Sequence, residues 1–137
     1  MKFYKHTLLI ISLLFPFLLN AESKVEGASP ETRLEQATKH IEGNPDQIAV
    51  FTKGLICSSC GIGIRRHIKK LDFVDQKQLE KGIELDIKNQ LALVAIKKGE
   101  AYDANLVRDA IFNAGYDPIH YYKLDGKSVV RAEFTTK

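Results

Sequence analysis

Two thiols separated by two serines, in Cys57-Ser58-Ser59-Cys60, are the residues of this chain best suited to chemistry, and they are its only cysteines. At this spacing both sulfurs can be aimed at one point. They follow a strand-like segment ending at Gly54 and lead into a helical pattern, so unpaired backbone N–H groups at the helix start favour negative charge there. That effect stabilises a thiolate by about 0.3 to 1 kcal/mol. One pKa unit corresponds to about 1.36 kcal/mol, so the helix end alone biases the site without activating it. A soft metal does far more, because a coordinated thiol is deprotonated outright and thiolates select Cu(I), with Hg(II) following the same softness argument. Two sulfurs with no third ligand nearby suit low coordination. A structural zinc site normally takes four ligands, and the histidines show no zinc-finger spacing with the cysteines.

Two other chemistries use the same pair. Thiol-disulfide exchange of the thioredoxin type is enzymatic and also places Cys-x-x-Cys at a helix start, although no tryptophan precedes the motif here. A plain disulfide would leave a non-catalytic interaction domain, whose surfaces to test would be Phe51 and Tyr121-Tyr122. So short a loop contributes only about 2 kcal/mol in the chain-entropy model, and a staple placed for stability would span more chain. His67 falls two turns beyond Cys60 and reads as a boundary residue; His40 and His120 are weaker candidates still. Arg65, Arg66, Lys69 and Lys70 form a solvated basic row, able to steer an acidic partner toward the thiols.

The elements that must position the pair follow from apolar periodicity. Ile48, Val50 and Thr52 alternate against Ala49, Phe51 and Lys53, the period of a half-buried strand. Ile64, Ile68 and Leu71 recur at helical spacing after the thiols. Ile83, Leu85 and Ile87, a turn at Asn89-Gln90, then Leu91, Leu93 and Ala95, with Val94 and Ile96 on the opposite phase, predict a hairpin. Asp103 caps a second helix with Val107, Ala110, Ile111 and Ala114 as its buried stripe and Gly115 as its stop, and a last strand follows Pro118 through Ile119 and Tyr121. The order β-α-β-β-α-β predicts an α+β, ferredoxin-like sandwich: a four-stranded antiparallel sheet with two helices on one face. Asp125-Gly126 is a turn signal from which Lys127 to Phe134 can return as an extra strand.

Outside this unit, Lys2 and Lys5 precede an apolar run from Leu8 to Leu19 that closes at Asn20-Ala21, the pattern of a cleaved export leader over residues 1–21. Its core of about a dozen residues is short of the roughly 20 that a membrane span needs. Loss of Lys2 and Lys5 lowers the net charge of +3 to +1, a balance that does not call for nucleic acid. Residues 22–47 are polar, with one short helix: Ser29 as cap, Pro30 in the first turn, and Leu34, Thr38 and Ile41 on one face before Gly43. It reads as a linker or a loosely docked appendage. The domain proper is expected over 48–122, with 123–137 as an extension, acting as a monomer.

The segment GLICSSCGIGIRRHIKKL, with LVRDAIFNAGY much later, resembles the heavy-metal-associated domain family, over Ile48 to about His120. In that family a Gly-Met-Thr-Cys-x-x-Cys loop binds the metal. The resemblance implies Cys57 and Cys60 as ligands of a soft ion, Cu(I) or Hg(II), Tyr116 beside the loop, and a membrane metal transporter or metal sensor as the recipient. Cys60 to Arg66 is also similar to the periplasmic mercury-binding branch, with which an export leader agrees. Two departures stand out: Leu55 replaces the usual Met and Ile56 the usual Thr, which leaves metal preference open. The segment from Phe73 to Gly82 is longer than the family pattern.

Overall fold

Strands that are apolar on both phases need cover on both faces, and the two central strands of this protein are of that kind. The computed structural model describes residues 27–59 and 61–136; the segment 1–21 expected to be an export leader, and Cys60, lie outside the described residues. Strand β1 (Gln47–Lys53) is buried at every position but Phe51 and Lys53, and all five residues of β3 (Leu91–Ala95) are buried. Together with β2 (Ile83–Asp86), β4 (Asp117–Asp125) and β5 (Ser128–Ala132) they form one sheet of order β2-β3-β1-β4-β5. Every neighbouring pair is antiparallel. Among the described residues three helices accompany the sheet: α1 (Pro30–Gly43), α2 (Gly61–Ile68) and α3 (Ala104–Asn113). The first four strands with α2 and α3 make the expected ferredoxin-like β-α-β-β-α-β unit.

One face of the sheet packs Ile48, Val50, Ala92 and Val94 against Ile64 and Ile68 of α2 and Val107 and Ile111 of α3. The opposite phase of the same strands, Ala49, Leu91 and Leu93, joins Tyr122 under Ala37 and Ile41 of α1. The helix expected as a loose appendage is thus the cover of the second face, and the architecture is three layers, not two. Its ends are as the sequence predicts: Pro30 opens the first turn and the Ser29 hydroxyl accepts the Thr32 N–H at 3.2 Å. Its buried stripe is offset by one position, running through Arg33, Ala37 and Ile41, while Leu34 stays 40% exposed.

Arg33 explains the offset. Its guanidinium lies 3.5 Å from the centre of the Phe51 ring, and it donates to the carbonyls of Asn89 (3.1 Å) and Ala28 (2.7 Å). A long side chain of this kind covers apolar surface along its stem while its head finds acceptors and an aromatic face. Phe51 and Tyr122, considered as surfaces for an interaction module, are therefore covered by α1, and Tyr121 stacks on Phe134 at 5.2 Å.

Smaller departures have local causes. Strand β2 ends at Asp86, leaving Ile87 in the turn, because the Asp86 carboxylate accepts the backbone N–H of Asn89 (3.1 Å) and its side-chain amide (2.7 Å). Helix α2 stops at Ile68, and Leu71 is half-buried beyond its end. The tail returns as expected through Gly126 (φ +61), though β5 closes at Ala132. The long connection before β2 is anchored where Val74 bridges Ile96. It ends in three positive-φ residues, Leu79, Lys81 and Gly82. At Gly82 a side chain is disfavoured twice over, by φ +95 and by Val74 Cγ1, which stands where a Cβ would go. No helix among the described residues is long and apolar enough to cross a membrane.

Candidate functional site

The thiol loop hangs between two fixed points. At the strand end, β1 and β4 change register between Phe51, opposite His120, and Thr52, opposite Pro118, so Ile119 is left over as a bulge. Gly54 then turns the chain at φ +87, and Leu55, fully buried, plugs into the core below α2 and α3. At the helix end the Ser58 and Ser59 carbonyls accept the N–H groups of Gly61 (3.2 Å) and Ile62 (3.3 Å), closing the turn into α2. Between these anchors the loop faces outward: Ile56 is 68% exposed, Cys57 partly exposed, and Ser58 and Ser59 exposed.

The two residues that depart from the metal-loop motif the sequence resembles divide accordingly. Leu55 fills the buried position with comparable volume, while the apolar Ile56 lies on the rim beside Cys57, where it meets solvent or a partner.

Cys57 is disulfide-bonded in this structure, the oxidised state in which a thiol offers no metal-binding thiolate. The Ser59 hydroxyl donates to its sulfur at 3.6 Å. Among the described residues no three His, Cys, Asp or Glu side chains gather as a metal-binding group. Tyr116 lines an open groove of about 500 Å³ with Lys53, Gly54 and Phe112, next to the start of the thiol loop. Phe112 and Ile62 are each 67% exposed. The basic row is not uniformly solvated, since Arg65 is held by Glu80 at 2.6 Å; Arg66, Lys69 and Lys70 are exposed.

The histidines lie apart from the loop in role. His67 is half-buried on α2, and His40 faces Asp86 at 3.8 Å. His120 belongs to the α1 side of the sheet, 3.0 Å from the Tyr122 hydroxyl and 5.3 Å, ring to ring, from Phe51, with its Nδ1 buried and unpaired. Sequence reasoning missed this Arg33–Tyr122–His120 cluster. A neighbouring positive charge is worst for a protonated imidazole where water cannot screen it.

Burial, then the charge of Arg131, outweighs Glu133 and holds the His120 pKa down to about 4 from 6.5. Since the folded state resists a proton that the unfolded chain accepts, the neutral ring contributes stability fully present above pH 6.5 and lost as pH falls through about 4. The loss is at most about 3 kcal/mol. Denaturation midpoints followed across that window should fall for the native protein and change much less for His120→Phe; equal slopes would mean that His120 is not the titrating group.

No protein-family model matches the chain, and no curated protein matches it. Among solved structures it is similar to one described as "CopZ metallochaperone", with a TM-score of 0.44 and 19% identity over 53% of this chain and 98% of that one.

Proposed function

We propose that the protein is an exported carrier of one soft metal ion, Cu(I) or Hg(II), held by the thiolates of Cys57 and Cys60 and handed on by ligand exchange. The observation that carries this reading is the outward-facing thiol loop, pinned by buried Leu55 on one side and by the first turn of α2 on the other. Exchange needs such a loop, because the recipient's own thiolate must reach the ion before either sulfur of the carrier lets go. Each thiol gives its proton to solvent on coordination, so apparent affinity falls as the medium is acidified. An incoming thiolate then adds to the ion, and the carrier's sulfurs leave in turn. No bond of the cargo is made or broken beyond its ligation, so the protein acts as a carrier and not as an enzyme. The recipient is a membrane metal transporter or a metal sensor that supplies the incoming thiolate. The sequence resemblance to heavy-metal-associated domains supports the same assignment.

On this reading the exported protein is expected to have lost residues 1–21. N-terminal sequencing of the exported protein should find its start near Glu22, and retention of Lys2 would contradict it.

The disulfide at Cys57 favours a second reading, thiol-disulfide exchange, in which a thiolate of the pair attacks a substrate disulfide. A disulfide reductase assay on the metal-free, reduced protein separates the two. The carrier shows no turnover, whereas turnover lost in Cys57→Ser establishes the exchange reaction.

A further inference from the structure

Charge is unevenly distributed over this protein. Arg65, Arg66 and Lys69 meet Lys81 around an open groove of about 290 Å³. Lys69 also borders a second groove, to which Lys70, Lys77 and Lys97 contribute. Against these seven cations the two grooves hold three carboxylates, Asp72, Asp75 and Glu80, so this one surface carries a net +4. The whole chain carries +3, of which Lys2 and Lys5 supply two, so the remainder of the chain beyond the leader is net negative. Glu80 is already engaged by Arg65 at 2.6 Å, while Arg65 Nε is buried without an acceptor.

The groove wall that presents Lys81 is built at a conformational cost. Leu79 (φ 51) and Lys81 (φ 58) occupy the left-handed region that side chains disfavour, and Gly82, packed on Val74, locks the segment behind them. Ile62, 67% exposed, stands on the rim of the same groove. It is on the first turn of α2, directly after the thiol loop, whose own Ile56 is 68% exposed.

We infer that this face docks on an anionic membrane surface, with the cations on phospholipid headgroup phosphates and Ile62 entering the interface. The cations are mostly lysines spread over two shallow grooves, suited to a diffuse field of phosphates more than to one bidentate partner. The exposed aliphatic side chain of Ile62 beside the basic cluster adds buried apolar area to the electrostatic attraction, the two terms with which interfacial binding strength scales. Docked this way, the thiol loop is held at the bilayer surface. The inference goes beyond the metal reading and does not depend on what the thiols hold.

The test is co-sedimentation of the exported, processed protein with vesicles of phosphatidylcholine alone and of phosphatidylcholine mixed with phosphatidylglycerol. Binding should appear with the anionic vesicles only and weaken as salt is raised. The triple variant Arg66→Glu, Lys69→Glu, Lys81→Glu should bind about tenfold or more weakly, and Ile62→Ser should weaken binding at every salt concentration. If the triple reversal does not fold, Arg66→Gln with Lys69→Gln replaces it, with a smaller loss expected. Cys57→Ser should bind vesicles like the native protein, so a failure of metal binding and a failure of docking are told apart. Equal binding to both vesicles, no binding to either, or capture by polyglutamate without vesicle binding would overturn the inference, the last assigning the face to an acidic protein.

Discussion

Cys57→Ser and Cys60→Ser should each abolish tight binding of Cu(I) or Hg(II), lowering affinity by at least roughly a thousandfold, or about 4 kcal/mol. A hydroxyl is a poor ligand for a soft ion, and a lone thiolate cannot chelate. Because either change destroys the chelate, adding the second should cost little more, the non-additivity of residues that act as one unit. His67→Ala should leave affinity nearly unchanged. The fold should survive these substitutions, since Cys57 belongs to neither apolar cluster and the loop is anchored by Leu55 and by backbone bonds at Gly61 and Ile62. Relative to the oxidised protein, the double serine variant should lose only about 2 kcal/mol. Circular dichroism showing it unfolded would make the pair structural.

Ile41→Ala should be the most informative stability change, costing about 2 to 5 kcal/mol. Ile41 is fully buried on α1 and packs with Ala37 over Ala49, Leu91, Leu93 and Tyr122. Truncation leaves a cavity between helix and sheet that neither can collapse to fill, because the sheet is held from its other face by α2 and α3. Ile68→Ala, in the opposite core, should cost a similar amount. Urea denaturation decides it: a loss below about 1 kcal/mol for Ile41→Ala would mean that α1 is a loose appendage after all.

The same helix shows what the sequence could and could not convey. Strands and helices that bury one face, such as α3 with its Asp103 cap and Gly115 stop, are legible because a single periodicity marks them. Helix α1 had legible ends, Ser29-Pro30 and Gly43, but its docking face was hidden because the stripe begins with an arginine. Arg33 is buried by contacts distant in sequence, to Phe51 and Asn89, which local spacing does not report. One signal was present in β3: Leu91 to Ala95 is apolar on both phases, the mark of a strand covered on both sides. At the site, the loop and its anchors were legible from the Gly54-to-Ile64 pattern. The groove around Lys81 was not, because it depends on left-handed backbone at Leu79 and Lys81, residue types that do not advertise such a conformation.

The central claim is that the reduced thiol pair is a soft-metal site, and native mass spectrometry of the exported protein, reduced and offered Cu(I), Hg(II) and Zn(II) in competition, tests it most directly. One equivalent of Cu(I) or Hg(II) should be retained, with two protons released per ion, and Zn(II) should be displaced. Metal-free protein after that competition, or zinc held in preference to both soft ions, would contradict the account.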